Sequence, residues 1–92
     1  MVQRLTEKQK EEMDIPEKPR QQGPWAVWEC GPSAFDWHYD GIEKAYVYEG
    51  KVRVTTADQK VDIQAGDFVT FPSGLDCRWD VFETVRKVYK FE

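Results

Sequence analysis

From residue 25 to the C-terminus, short runs rich in Val, Tyr, Trp and Phe alternate with turn residues at close spacing, and no run in this part shows helical periodicity. WAVWEC is followed by GPS and FDWHY by DG; EKAYVY meets KVRVTT across Glu49 and Gly50; KVDIQ is followed by AGD, FVTF by PSGLD, and CRWDVF leads into TVRKVYKF. A chain punctuated in this way cannot form a helical bundle. It predicts an all-β fold of about eight strands, a sandwich or a barrel, with a hairpin at Glu49 and Gly50 where glycine can take a positive φ. With 92 residues there is room for one such unit and a limited core, so each large aromatic side chain matters for stability.

Alternation sorts the faces of these runs. Val52 and Val54 flank Arg53, Val61 and Ile63 flank Asp62, and Cys77, Trp79 and Val81 lie opposite Arg78 and Asp80. The apolar members are expected to point inward and Arg78 outward. By the same rule Glu43, Ala45 and Val47 share one face while Tyr46 and Tyr48 share the other, and Asp36 lies on the same face as His38.

The first 24 residues read differently. Residues 6–13 favour helix, with Thr6 and Gln9 spaced as a capping box, and the following IPEKPRQQGP carries three prolines and a glycine, which end the helix and predict an extended arm. The division expected is an N-terminal helix and arm over residues 1–24 and a β domain over residues 25–92.

Charge and composition narrow the partners. A formal charge of −4 opposes the phosphate neutralisation on which nucleic-acid binding depends, and the basic clusters EKPR and VRKVYK are short. No apolar run suggests a signal peptide or a membrane span, so the expectation is a cytoplasmic protein with no nucleic-acid or membrane partner. Cys30 and Cys77 form no CxxC or Cys/His cluster and are read as free thiols.

Two spacings carry a family resemblance. The single histidine, His38, stands five residues before Glu43, which stands seven before Gly50; further on, Gly66 is followed six residues later by Pro72, then by Gly74 and Cys77. This pattern resembles the two motifs of the cupin superfamily, with Asp36 where the first histidine of the first motif would stand and Cys77 where the histidine of the second would stand. The resemblance implies a double-stranded β-helix, or jelly-roll barrel, with a pocket between its sheets and a short N-terminal helix or arm. Within the superfamily, EKAYVYEGKVRVTT, AGDFVTFPSGLDCRW and VRKVYKF look similar to the (S)-ureidoglycine aminohydrolase cupin domain. That likeness implies hydrolytic release of ammonia from a ureido compound, although that enzyme carries two cupin domains in tandem and this sequence one.

On this resemblance Asp36, His38, Glu43 and Cys77 form a candidate ligand set for a divalent ion such as zinc, iron, manganese or nickel, two carboxylates, one imidazole and one thiol being a mixed-hardness donor set. The alternative is a site without metal, in which Glu43 is hydrogen-bonded to His38 or a Tyr hydroxyl and Cys77 is a small apolar filler. Glu43 and Lys87 are the catalytic candidates, Lys87 standing in line with Val85 and Tyr89, where it could reach an anionic substrate or, alternatively, lie on a solvated face. Trp28 and Trp79 are the substrate-binding candidates; they and Trp37 have core packing as the competing role, which a domain of this size favours for at least two of the three. Cys77 as a nucleophile ranks below Cys77 as a ligand.

Three functions remain open: a metal-dependent enzyme acting on a small polar metabolite, a small-molecule binder without turnover, and an interaction module. In the last, an outward row of Tyr46 and Tyr48 is expected to pack a homodimer interface.

Overall fold

The computed structural model describes residues 2–5 and 7–92. Their elements are β1 (Gln3–Arg4), α1 (Glu7–Glu12), β2 (Ala26–Cys30), β3 (Ser33–His38), β4 (Glu43–Thr55), β5 (Lys60–Gln64), β6 (Phe68–Phe71) and β7 (Asp76–Phe91). All described strand pairings are antiparallel, in the order β1-β6-β4-β7-β2, with β3 also on β7 and β5 also on β4. The fold is all-β, as the turn pattern predicted, and its curled antiparallel sheet agrees with the barrel that the family resemblance implied.

Two long strands set the frame. β4 and β7 pair from Glu43 opposite Phe91 to Thr55 opposite Arg78, and each offers a different half of its length to its other neighbours. β6 lies on the first half of β4 and β5 on the second; β3 lies on the first half of β7 and β2 on the second. Side chains from both halves of β4, Ala45 and Val47 on one side and Val52 and Val54 on the other, meet in one buried cluster, so the strand curls around the interior.

The hairpin expected at Glu49 and Gly50 is therefore corrected: the chain bends there and continues in the same strand. The pairing shifts register between Val47 and Val52, which changes the inward-facing positions from odd to even numbers, the signature of bulging. Gly50 has φ of 106°, and a Cβ at this position would lie 2.5 Å from the Thr84 carbonyl oxygen and 2.6 Å from the Val85 Cα. Only glycine lets β7 pass so close. CRWDVF and TVRKVYKF fuse in the same way into β7, while Gln3 and Arg4, read from sequence as arm, pair with Thr70 and Val69 of β6.

There are two apolar layers. The interior holds Val47, Val54, Val69, Phe71, Trp79, Val85 and their neighbours, closed at one end by Val2. Outside the sheet, Trp25, Phe68 and Val88 form a second buried cluster beneath Leu5, Met13, Ile15, Tyr46 and Tyr48. This corrects the exposed tyrosine row. Tyr46 and Tyr48 are half-buried under the chain's own N-terminal arm, and the Tyr48 hydroxyl donates to the Pro16 carbonyl. Leu5, Met13 and Ile15 of the N-terminal segment bury apolar area by packing on this face that they would expose to water if the segment stayed extended. Part of the surface expected to pack a homodimer is thus covered within the subunit. The helix starts at Glu7; Thr6, on which the capping box depended, lies outside the described residues. No helix among the described residues is long and apolar enough to cross a membrane.

Candidate functional site

Glu43 opens β4 and points into the barrel because it keeps phase with Ala45 and Val47, which are buried at 0% and 2% exposure. Lys87 keeps phase with Val85 on β7 and points into the same space. Its Nζ donates to Glu43 Oε2 at 3.0 Å, and both side chains are 6% exposed. Two charges so far from water persist only with a close partner and further favourable contacts. Aromatic rings supply those contacts: the Lys87 ammonium lies 4.9 Å from the Trp28 ring centroid, 4.8 Å from Trp79, 5.5 Å from Tyr89 and 5.9 Å from Phe71.

Beside this pair is a cavity of about 190 Å³, lined by Trp28, Phe35, Trp37, Tyr39, Glu43, Trp79, Lys87, Tyr89 and Phe91. Phe35 stacks on Trp79 with 9° between their planes, and Trp28 meets both edge-on. Trp37 and Phe91, 52% and 56% exposed, stand at the mouth. The result is a slot with an ionic floor and aromatic walls, open to solvent at one end.

Four predicted residues meet here: Glu43, Lys87, Trp28 and Trp79. Asp36 and His38 do not, and this is a correction with a simple cause. On β3 the large apolar side chains Phe35 and Trp37 pair with Trp79 and Cys77 and turn toward the interior, so strict alternation sends Asp36 and His38 to the outer face opposite Arg78 and Asp76. There His38 Nδ1 lies 2.7 Å from Asp76 Oδ1, and Nε2 lies 3.4 Å from Asp40. The Asp76 hydrogen bond, followed by the charges of Asp76 and Asp40, raises the His38 pKa above its ordinary 6.5. Cys77 is buried in the interior cluster, its thiol donating to the Trp37 carbonyl at 3.6 Å. Burial first of all pushes that thiol up, away from the thiolate that both metal ligation and nucleophilic attack need.

The donor set does not fit the divalent ion that cupins often hold. Among the described residues no group of three or more His, Cys, Asp and Glu side chains is arranged to bind a metal. Of the four expected ligands only Glu43 lines the cavity, and its carboxylate already faces an ammonium at 3.0 Å, which would repel a second cation.

Sequence reading passed over Phe35, Tyr39, Tyr89 and Phe91 as lining residues. Their signal was present in FDWHY, where Phe35, Trp37 and Tyr39 alternate with Asp36 and His38. Tyr39 is anchored by backbone bonds to Leu75 and Gly74 and stacks on Phe71 at 4.7 Å. Burial, with the Glu43 carboxylate next, drives its phenol far above the ordinary range, so it stays neutral. The Trp79 indole N–H acts on both the Tyr39 hydroxyl and the Cys77 thiol but reaches full hydrogen-bond geometry with neither, and it is one of two buried side-chain polar atoms without a partner among the described residues.

A curled antiparallel barrel with its polar groups gathered at one end of an aromatic interior defines a cupin domain. The chain belongs to the EutQ-like cupin domain family, whose pattern matches residues 17–89. Over its whole length it is similar to a DUF861 family protein from Thermotoga maritima, with 43% identity, 98% of that chain covered and a TM-score of 0.81. The EutQ protein of Clostridium difficile shares the fold at 24% identity and a TM-score of 0.67, over 73% of this chain and 54% of that one. A DUF861 protein of unknown function from Pseudomonas syringae pv. tomato shares it at 24% identity and a TM-score of 0.67, over 74% of this chain and 30% of that one. No curated protein matches the chain.

Proposed function

We propose that this cupin domain binds a small polar metabolite in the aromatic cavity, with Glu43 and Lys87 as polar contacts and Trp28 and Trp79 as walls. One observation carries the reading: the buried Glu43–Lys87 pair sits at the base of a cavity that opens to solvent. Burying two charges is costly, and a packed apolar pair of similar volume would serve stability as well or better. An ion pair kept at the end of an otherwise aromatic slot has the composition of a ligand site, apolar walls with a few convergent polar groups.

The reading does not need a metal. The kinship to ureidoglycine aminohydrolase rests on the sequence likeness alone, and hydrolysis through a metal-bound water would need a donor cluster that Asp36, His38 and Cys77 do not supply to this cavity. If the pocket turns its ligand over, Glu43 is the carboxylate available to accept a proton and Lys87 the group to steady negative charge. A soluble cytoplasmic setting and a paired subunit fit this reading, with the subunit contact on a face other than that of Tyr46 and Tyr48.

Native mass spectrometry of tag-free protein, followed by a thermal-shift screen of small metabolites on the wild type and on Glu43→Gln combined with Lys87→Met, tests the proposal. A retained or stabilising compound whose effect disappears in the double variant is the expected result. A compound that stabilises both forms equally, or a screen in which stoichiometric metal is the stabilising species, overturns it.

A further inference from the structure

The cavity has a chemical bias that follows from how its two charges are used. Lys87 takes Glu43 through Oε2, and the charges cancel at the floor. Oε1 accepts no bond there, and it is not among the enclosed side-chain atoms that lack a partner, so it remains open to the cavity that Glu43 lines. An ammonium has three N–H donors, and the side-chain hydrogen bond of Lys87 uses one of them. The floor therefore holds one open acceptor beside an ammonium with two N–H groups not used in that bond, which lies against the rings of Trp28 and Trp79.

A ligand can meet this floor in three ways. An anion bonded to a spare Lys87 N–H stands beside the Glu43 carboxylate, which repels it. A cation bonded to Oε1 stands beside the Lys87 ammonium. Each adds an uncompensated charge to a pair whose partners are 6% exposed, where such a charge is most costly. A neutral group with an acceptor and a donor on adjacent atoms can bond both residues and leave the pair intact. The wall adds a shape preference: Phe35 is stacked on Trp79 at 6.2 Å with Trp28 edge-on to both, one continuous aromatic surface against which a flat ring system buries more area than a branched aliphatic body does. The volume of about 190 Å³ equals about six waters at liquid density, room for a single ring with one substituent or a small fused pair.

From these observations, and resting on the ligand-site reading above, we propose that the cavity selects neutral, planar molecules bearing a carboxamide-type donor–acceptor edge. The carbonyl oxygen accepts from Lys87 Nζ, the adjacent N–H donates to Glu43 Oε1, and the ring lies in the cavity against the aromatic wall of Trp28, Phe35 and Trp79. Amides, lactams and ureides of aromatic or heteroaromatic compounds share this edge.

Benzamide, benzoate and benzamidinium are nearly identical in size and flatness and differ in charge, so they separate the possibilities. Each is titrated into 15N-labelled full-length protein while the indole N–H signals of Trp28 and Trp79 are followed. The expected result is saturable movement of both signals with benzamide, and binding of benzoate and benzamidinium weaker by at least about tenfold. In the Glu43→Gln, Lys87→Met double variant, which keeps an uncharged floor of similar volume, benzamide binding should weaken by a comparable factor. Tighter binding of benzoate or of benzamidinium at the same indoles overturns the selectivity and leaves the ligand-site reading standing. If none of the three moves either indole, both are overturned.

Discussion

Glu43 and Lys87 depend on one another more than on any other contact. Removing either partner strands the other charge, so Glu43→Gln or Lys87→Met alone should cost about 3–5 kcal/mol, while the double variant recovers most of the loss. Urea denaturation of the four proteins checks this through the coupling energy of the cycle. Additive losses would mean that the two side chains act separately. His38 allows a second prediction of known sign. Its folded pKa is raised, chiefly by the Asp76 hydrogen bond, so the small stabilisation it gives is complete below pH 6.5 and fades as pH rises through the folded value. Its imidazole signals should titrate above 6.5 in the wild type and move down in Asp76→Asn. An unchanged titration would remove Asp76 as the cause. The Glu43–Lys87 pair was half legible in the sequence: phase with Ala45 placed Glu43 on the inward face, phase with Val85 left Lys87 either inward or on a solvated face, and their meeting depends on a β4–β7 register that no local pattern encodes.

At the scale of the strand, Gly50 shows how a correct local reading gave a wrong element. A positive φ at a glycine fits a hairpin turn, and Glu49 and Gly50 read naturally as one; the same φ also fits a bulge, and what decides between them is the backbone of Thr84 and Val85, which lies within 3 Å of where a Cβ at Gly50 would stand. That neighbour is more than thirty residues away in sequence. Gly50→Ala should therefore destabilise the domain by about 1–3 kcal/mol from backbone strain, with the close approach to β7 adding to it. Chemical denaturation measures the loss, and stability within about 0.5 kcal/mol of wild type would contradict the close approach. For β3 the sequence held the answer in its alternation. The cupin spacing drew Asp36 and His38 inward, whereas Phe35 and Trp37 compete for the same side of the strand and bury more apolar area.

The whole molecule is two apolar layers on one curled sheet, and the arm is the lid of the outer one. Trp25 is 1% exposed beneath it, packed edge-on to Phe68 at 6.3 Å, and Tyr48 is tied to Pro16 with its phenol pushed up to about 12, mainly by burial. Trp25→Ala should cost about 3–5 kcal/mol, a large part of the 5–15 kcal/mol typical of a small domain; a loss below about 1 kcal/mol would show that the arm does not seal this face. The all-β barrel was legible because turn chemistry is local, but the count of about eight strands from residue 25 on was not, since two pairs of runs fuse into β4 and β7 and leave six. The covering of Tyr46 and Tyr48 was not, since the arm that does it has weak periodicity and only its prolines mark it. At this scale the account stands on the separation of two groups of side chains: Glu43 and Lys87 within the cavity, Asp36 and His38 on the outer face. Following the Glu43 carboxyl carbon by NMR while zinc is added to tag-free protein tests that separation directly. The prediction is that one equivalent of zinc leaves the Glu43 signal in place, and the contradicting result is a stoichiometric shift of Glu43 together with His38 and Cys77.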